Sequence, residues 1–168
     1  MFKNLFGKKE DSPVESSLEI KSPFNGKYVK LEDIPDPVFA EKMMGEGFGI
    51  EPSDGEVVSP VAGEVMQVFP TNHAVGIKTE NGIELLIHIG LETVAMDGQG
   101  FTGHVSEGDS VEVGDKLVSF DMDLVSKEAN STISPVIITN SDILKSFEIV
   151  DAGEVSSAQT VVAKAEVN

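Results

Sequence analysis

A chain of 168 residues with 40% apolar residues has enough material to bury one core, so one domain with tails is expected. The charge is strongly acidic, with 12 basic against 29 acidic residues, a net of −17, and every basic residue is lysine. That field repels nucleic acid and offers no guanidinium fork for phosphate, while favouring the approach of basic protein partners. Cysteine is absent, which removes disulfide frameworks, thiol catalysis and cysteine-ligated zinc.

The first segment, Met1 to Lys9, places Phe2, Leu5 and Phe6 at helical spacing beside Lys3, Lys8 and Lys9. It is too short and interrupted for a signal peptide. It reads either as a disordered leader or as an amphipathic stretch able to lie on an anionic membrane surface. Glu10 to Ser17 reads as linker, which divides the chain into a leader over residues 1–17 and a domain over residues 18–168. With no apolar run long enough to span a bilayer, a cytoplasmic location is expected.

From Leu18 onward, short apolar stretches are punctuated by Gly, Pro, Asn and Asp, the signature of an all-β sandwich or barrel-sandwich. Ser22-Pro23-Phe24-Asn25-Gly26-Lys27-Tyr28-Val29 recurs as Ser59-Pro60-Val61-Ala62-Gly63-Glu64-Val65-Met66, with Ser134-Pro135-Val136 as a weaker third echo. Two copies suit a duplicated supersecondary unit folded about one core. Gly-Asp recurs within Val105 to Leu117, as turns between short strands would require. Helix is expected only in short pieces, at Val38 to Met44, Asp121 to Ala129 and Asp142 to Phe147, the last with Ser141 as N-cap. Gly153 to Val162 reads as a last weak strand.

The central feature is Glu84-Leu85-Leu86-Ile87-His88-Ile89-Gly90. Read with period two, Leu85, Ile87 and Ile89 face a core, and Leu86, His88 and Gly90 face the other way. A second imidazole stands upstream in Thr71-Asn72-His73-Ala74, so two histidines on adjacent strands can meet. His104, in a turn-rich stretch, reads as a surface residue. Phosphoryl transfer through histidine requires a neutral imidazole with one nitrogen free and the other pinned by an acceptor. It also requires a dry surface and a donor to the phosphoryl oxygens. His88 and His73 supply the imidazoles, Val38, Phe39, Phe69 and Leu86 a dry rim, and Asp36 and Glu92 an acidic edge for a basic partner.

The blocks Asp33 to Lys42, Phe69-Pro70-Thr71-Asn72-His73-Ala74, Ile83 to Gly90 and Gly98-Gln99-Gly100-Phe101 resemble the glucose-specific enzyme IIA component of the bacterial phosphoenolpyruvate-dependent sugar phosphotransferase system. The resemblance implies an antiparallel β-sandwich built on a duplicated motif, and phosphorylation of His88 on Nε2. It implies that His73 passes the group on, that Thr71 belongs to their hydrogen-bond network, and that the Gly90 carbonyl orients His88. Val38, Phe39, Phe69 and Leu86 would line the apolar rim, with Asp36 and Glu92 facing arginines of the donor HPr. Glu92 stands where aspartate is commoner, and Leu86 where phenylalanine is expected. The implied acceptor is the IIB domain of a glucose-type permease. Regulatory contacts with glycerol kinase, other sugar permeases and adenylate cyclase are implied for some lineages. No cofactor is required, although zinc could bridge His73 and His88 in partner complexes.

Three other readings compete. A β-rich zinc hydrolase would want three protein ligands, and the chain lacks a His-x-His pair. A lipoyl or biotinyl carrier would want its lysine at a hairpin tip, whereas Lys42 falls in an expected helical turn, beside Met43 and Met44 read as core. A scaffold would never be phosphorylated.

Overall fold

The short apolar segments between turns are strands, each held by its neighbour's backbone. The computed structural model describes residues 16–168, so Met1 to Lys9 lies outside the described residues. The largest sheet contains β2 (Gly26–Val29), β3 (Glu46–Pro52), β5 (Gly63–Val68), β6 (Ala74–Lys78), β7 (Glu84–His88), β9 (Ser110–Val111), β11 (Ser134–Ile138) and β13 (Glu154–Val155). Its spatial order is β9-β5-β6-β7-β11-β3-β2-β13. A second sheet joins β4 (Glu56–Val58), β10 (Lys116–Phe120) and β8 (Phe101–Gly103). A third joins β12 (Leu144–Ile149), β14 (Val161–Val167) and β1 (Ser17–Lys21). All strand pairs are antiparallel. This is the all-β class expected from the sequence.

The large sheet is a palindrome about its central β7–β11 pair, and the repeat explains why. Gly26 opens β2 opposite Val155, as Gly63 opens β5 opposite Val111. A Cβ on Gly26 would fall 2.1 Å from the Glu51 carbonyl oxygen, and one on Gly63 would fall 2.5 Å from that of Lys78. Both starts therefore demand glycine. Before each, a fully buried serine closes the turn: Ser22 Oγ donates to Phe24 O and Ser59 Oγ to Val61 O, both at 2.6 Å. The Gly-Asp turns also form, with Asp109 Oδ2 accepting from Ser106 N at 2.9 Å and Asp115 Oδ2 from Glu112 N at 2.8 Å.

The two faces of the large sheet serve two cores. Leu85, Ile87 and Ile89 enter the main cluster with Phe48, Ile50, Val65, Ile77, Val136 and Ile138. On the opposite face a smaller cluster of Leu31, Ile34, Phe39, Leu91 and Ile137 seats helix α1 (Pro37–Ala40). Asp36 caps α1 by accepting from Val38 N at 3.0 Å, and Pro37 fits the first helical position. Helix α2 (Met122–Glu128) is capped by Asp121.

Some expectations need correction. The helix expected to run to Met44 stops at Ala40, because Lys42 takes φ +61° and Met43 N turns back to Val38 O. Met43 is 70% exposed, so it is surface and not core. Asp142 to Phe147 is not a helix: a single 3-10 turn at Ser141–Ile143 leads into β12, whose Leu144, Phe147 and Ile149 pack on the main core. Ser141 caps nothing, since its hydroxyl accepts from Glu46 N and donates to Ile138 O. The C-terminal segment splits into β13 and the seven-residue β14, which is the central strand of its sheet and runs to Val167. The third echo, Ser134-Pro135-Val136, is not a repeat turn but the start of β11.

Candidate functional site

Strand register brings the two histidines together. Ala74 pairs with His88, and Ile89 N donates to His73 O at 2.8 Å, so both imidazoles project from the same end of the β6–β7 hairpin. Asn72, with φ +59°, turns the chain just before His73, a conformation asparagine tolerates better than most residues. The ring centroids of His73 and His88 lie 5.1 Å apart with their planes at 77°. Phe69 packs edge-on to His73 at 5.3 Å, and Phe39 lies 5.5 Å from His88. Leu86, two residues before His88, shares its face and is buried.

Each imidazole has one nitrogen engaged. His88 Nδ1 bonds the Gly90 carbonyl at 2.8 Å, and His73 Nδ1 bonds the Thr71 hydroxyl. Gly90 does not continue the strand alternation. Its φ of +68° bends the chain so that its carbonyl returns to the ring. A Cβ there would lie 2.8 Å from Thr93 Cγ2 and 3.0 Å from Ser131 O.

Burial disfavours the charged form of both rings. His73 is 5% exposed, and desolvation, with the neighbouring His88, lowers its pKa from the ordinary 6.5 to about 4. Desolvation also lowers His88, opposed by the Gly90 hydrogen bond and by the carboxylates of Asp36 and Glu92. The acidic edge expected from sequence is thus close enough to act on the ring.

The surroundings form a face rather than a hole. A cavity of about 580 Å³ is lined by Gly63, Glu64, Met66, Lys78, Thr79, Glu80 and Ser110, and contains neither histidine. Around the imidazoles, Phe39 and Leu86 make a buried floor, Phe69 is half-buried, and Val38 is 41% exposed. Two further exposed apolar residues lie close in the chain to residues of this site: Met43, read from the sequence as core, whose backbone bonds that of Val38, and Val94, 53% exposed two positions beyond Glu92. Neither carries a periodic signal, because exposed apolar residues in turns obey no burial pattern. His104 stands elsewhere, exposed, with Nε2 2.8 Å from Ser119 Oγ.

Among the described residues no three His, Asp or Glu side chains converge on a metal-sized site. A hydrolytic zinc therefore lacks its third protein ligand. Lys42 is held beside Glu46 and Glu32 in the turn after α1, not at a hairpin tip, which disfavours a lipoyl or biotinyl attachment site.

Fold and site together define a class: a β-sandwich carrying a pair of adjacent, desolvated histidines on a shallow apolar face. Residues 18–144 match the family described as phosphoenolpyruvate-dependent sugar phosphotransferase system, EIIA 1. The chain is 56% identical over 162 residues to the PTS system glucose-specific EIIA component of Staphylococcus epidermidis RP62A, covering 96% of each chain. It is 59% identical over 164 residues to the component of that name from Halalkalibacterium halodurans, covering 95% of each. The fold superposes on glucose permease IIA from Mycoplasma capricolum with a TM-score of 0.83 at 42% identity, covering 88% of this chain and 95% of that one. The chain belongs to this EIIA family, and is a phosphocarrier of the sugar phosphotransferase system. No helix among the described residues is long and apolar enough to cross a membrane.

Proposed function

We propose that this protein accepts a phosphoryl group from phospho-HPr on His88 Nε2 and passes it to the IIB domain of a glucose-type permease. The observation that carries the reading is the hydrogen bond from His88 Nδ1 to Gly90 O, with His73 packed against the same ring. That bond puts the proton on Nδ1 and leaves the Nε2 lone pair free. In transfer, the Nε2–P bond forms as the bond from phosphorus to the donor atom breaks, and its electron pair returns to the donor. No proton leaves the ring. The ring becomes positive, so its bond to the Gly90 carbonyl becomes charge-assisted and stronger.

Thr71 and His73 serve the phosphoryl oxygens. With Thr71 donating to His73 Nδ1, the His73 proton lies on Nε2 and becomes a hydrogen-bond donor without a net charge that would trap the product. Val38, Phe39, Phe69 and Leu86, extended by Met43 and Val94, exclude water during handover, and Asp36 and Glu92 meet the basic donor. Donor and acceptor use one face and must compete for it. In the unphosphorylated state the same face would contact regulatory targets such as glycerol kinase, non-phosphotransferase sugar permeases or adenylate cyclase. The residues fit zinc only as half a site: the Nε2 atoms of His73 and His88 would supply two ligands, and a partner the rest. A phospho-HPr donor implies a cytoplasmic protein.

The test is intact mass and peptide mapping after incubation with phosphoenolpyruvate, enzyme I and HPr. One acid-labile phosphoryl group on His88 is expected, absent in His88→Gln, and formed but not passed on in His73→Gln. An unmodified wild-type protein in an active donor mixture refutes the reading.

A further inference from the structure

We propose that Ser134 is a positioning residue for phosphoryl transfer, holding the Gly90 peptide and through it the ring of His88. The inference rests on the reading of His88 as phosphoryl acceptor. Among the described residues three Ser-Pro pairs occur at strand or turn starts, and two of the serines only close their own turns, Ser22 onto Phe24 and Ser59 onto Val61. Ser134 does otherwise. Its hydroxyl donates to Thr132 O at 2.9 Å, and its lone pair accepts from Gly90 N at 3.0 Å, across the β7–β11 pair. Ser134 is fully buried, and Gly90 is buried as well, so water cannot replace this bond.

Three further contacts make the hold specific. Thr93 Oγ1 donates to Ile89 O at 2.6 Å, so the peptide between Ile89 and Gly90 is gripped at its oxygen by Thr93 and at its nitrogen by Ser134. The following peptide is held by Leu91 N donating to Ser131 O at 2.9 Å, and Leu91 O accepts from Asn130 N at 3.1 Å. Segment 130–134 thus clamps both sides of a glycine whose own dihedral preferences are nearly flat. The clamped carbonyl is the one that receives His88 Nδ1. Without the Ser134 hydroxyl, the buried Gly90 N–H loses its acceptor and is relieved by rotating the glycine. Rotation swings the carbonyl off the ring, and the ring loses the contact that selects the Nδ1–H tautomer.

The test compares Ser134→Ala, Ser134→Thr and, as a control for general destabilisation, Ser59→Ala. Two readouts are taken: the rate of His88 phosphorylation by phospho-HPr in a single turnover, and the imidazole ¹⁵N spectrum of the unphosphorylated protein at neutral pH. Ser134→Ala is expected to slow phosphorylation about tenfold and to convert a single Nδ1–H tautomer of His88 into a mixture. Ser134→Thr retains the hydroxyl and restores both readouts. Ser59→Ala lowers the melting temperature but changes neither. A Ser134→Ala variant with a pure Nδ1–H tautomer and a rate within about twofold of wild type overturns the proposal. Ser59→Ala losses equal to those of Ser134→Ala overturn it too. If the label in wild type maps elsewhere than His88, the acceptor reading fails, and the tautomer comparison alone still decides whether Ser134 holds the ring.

Discussion

His73 should give the protein a pH-dependent stability of known sign. Its folded pKa lies at about 4 against the ordinary 6.5, because the ring is desolvated and faces His88. Between these values the unfolded chain binds the proton and the folded protein does not. Stability attributable to this group therefore rises from about pH 4 to pH 6.5 and is level above. Each pH unit between the two values is worth about 1.36 kcal/mol, so the difference across the window is about 3 kcal/mol. Urea unfolding of wild type and His73→Gln at intervals from pH 4 to pH 7 isolates the effect, since both proteins share the same carboxylates. The wild type should lose more stability than His73→Gln as pH falls below 6.5, and the difference between the two should stay constant above pH 6.5. Parallel pH profiles for the two would refute the claim that burial holds His73 neutral.

Gly90→Ala forces an alanine to φ +68° and drives its Cβ against Thr93 and Ser131. It should destabilise by about 3 kcal/mol in urea unfolding. Thr71→Val removes the hydroxyl on His73 Nδ1. It should slow onward transfer to IIB about tenfold more than acceptance from HPr, seen as accumulation of phosphorylated protein in a quench-flow time course. Val38→Asp and Val94→Asp place charge on exposed apolar positions. Each should raise the HPr concentration for half-maximal phosphorylation about tenfold while leaving the melting temperature nearly unchanged, because neither side chain is in the core.

Local pattern was enough for the strand that carries His88 and for the faces of its neighbours. Leu85, Ile87 and Ile89 are in the main core, as period two requires, and Leu86 and His88 face away from it. The repeated Ser-Pro-x-x-Gly was readable because each residue answers a local demand, a buried hydroxyl closing a turn and a glycine facing a carbonyl. Asp142 to Phe147, read as a helical turn with Ser141 as N-cap, is equally compatible with a strand that has a bulge near Leu144. The pairing with β14 decides between them, and no local spacing encodes it. The same reason hides the bond from Gly90 to Ser134, whose partners meet only when β7 and β11 do. Val94 escapes, and Met43 reads as core, because exposed apolar residues in turns obey no burial pattern.

The palindromic sheet divides the work of folding unequally. β5, β6 and β7 follow one another as a meander from Gly63 to His88, and each pairs with the next. The mirror half must bring residues 26–29 and 46–52 together with 134–138 and 154–155. Loop-closure entropy and contact order therefore fall on the half without imidazoles, and the half with both histidines has the shortest closures. The two rings are consequently brought into proximity by the most local part of the chain.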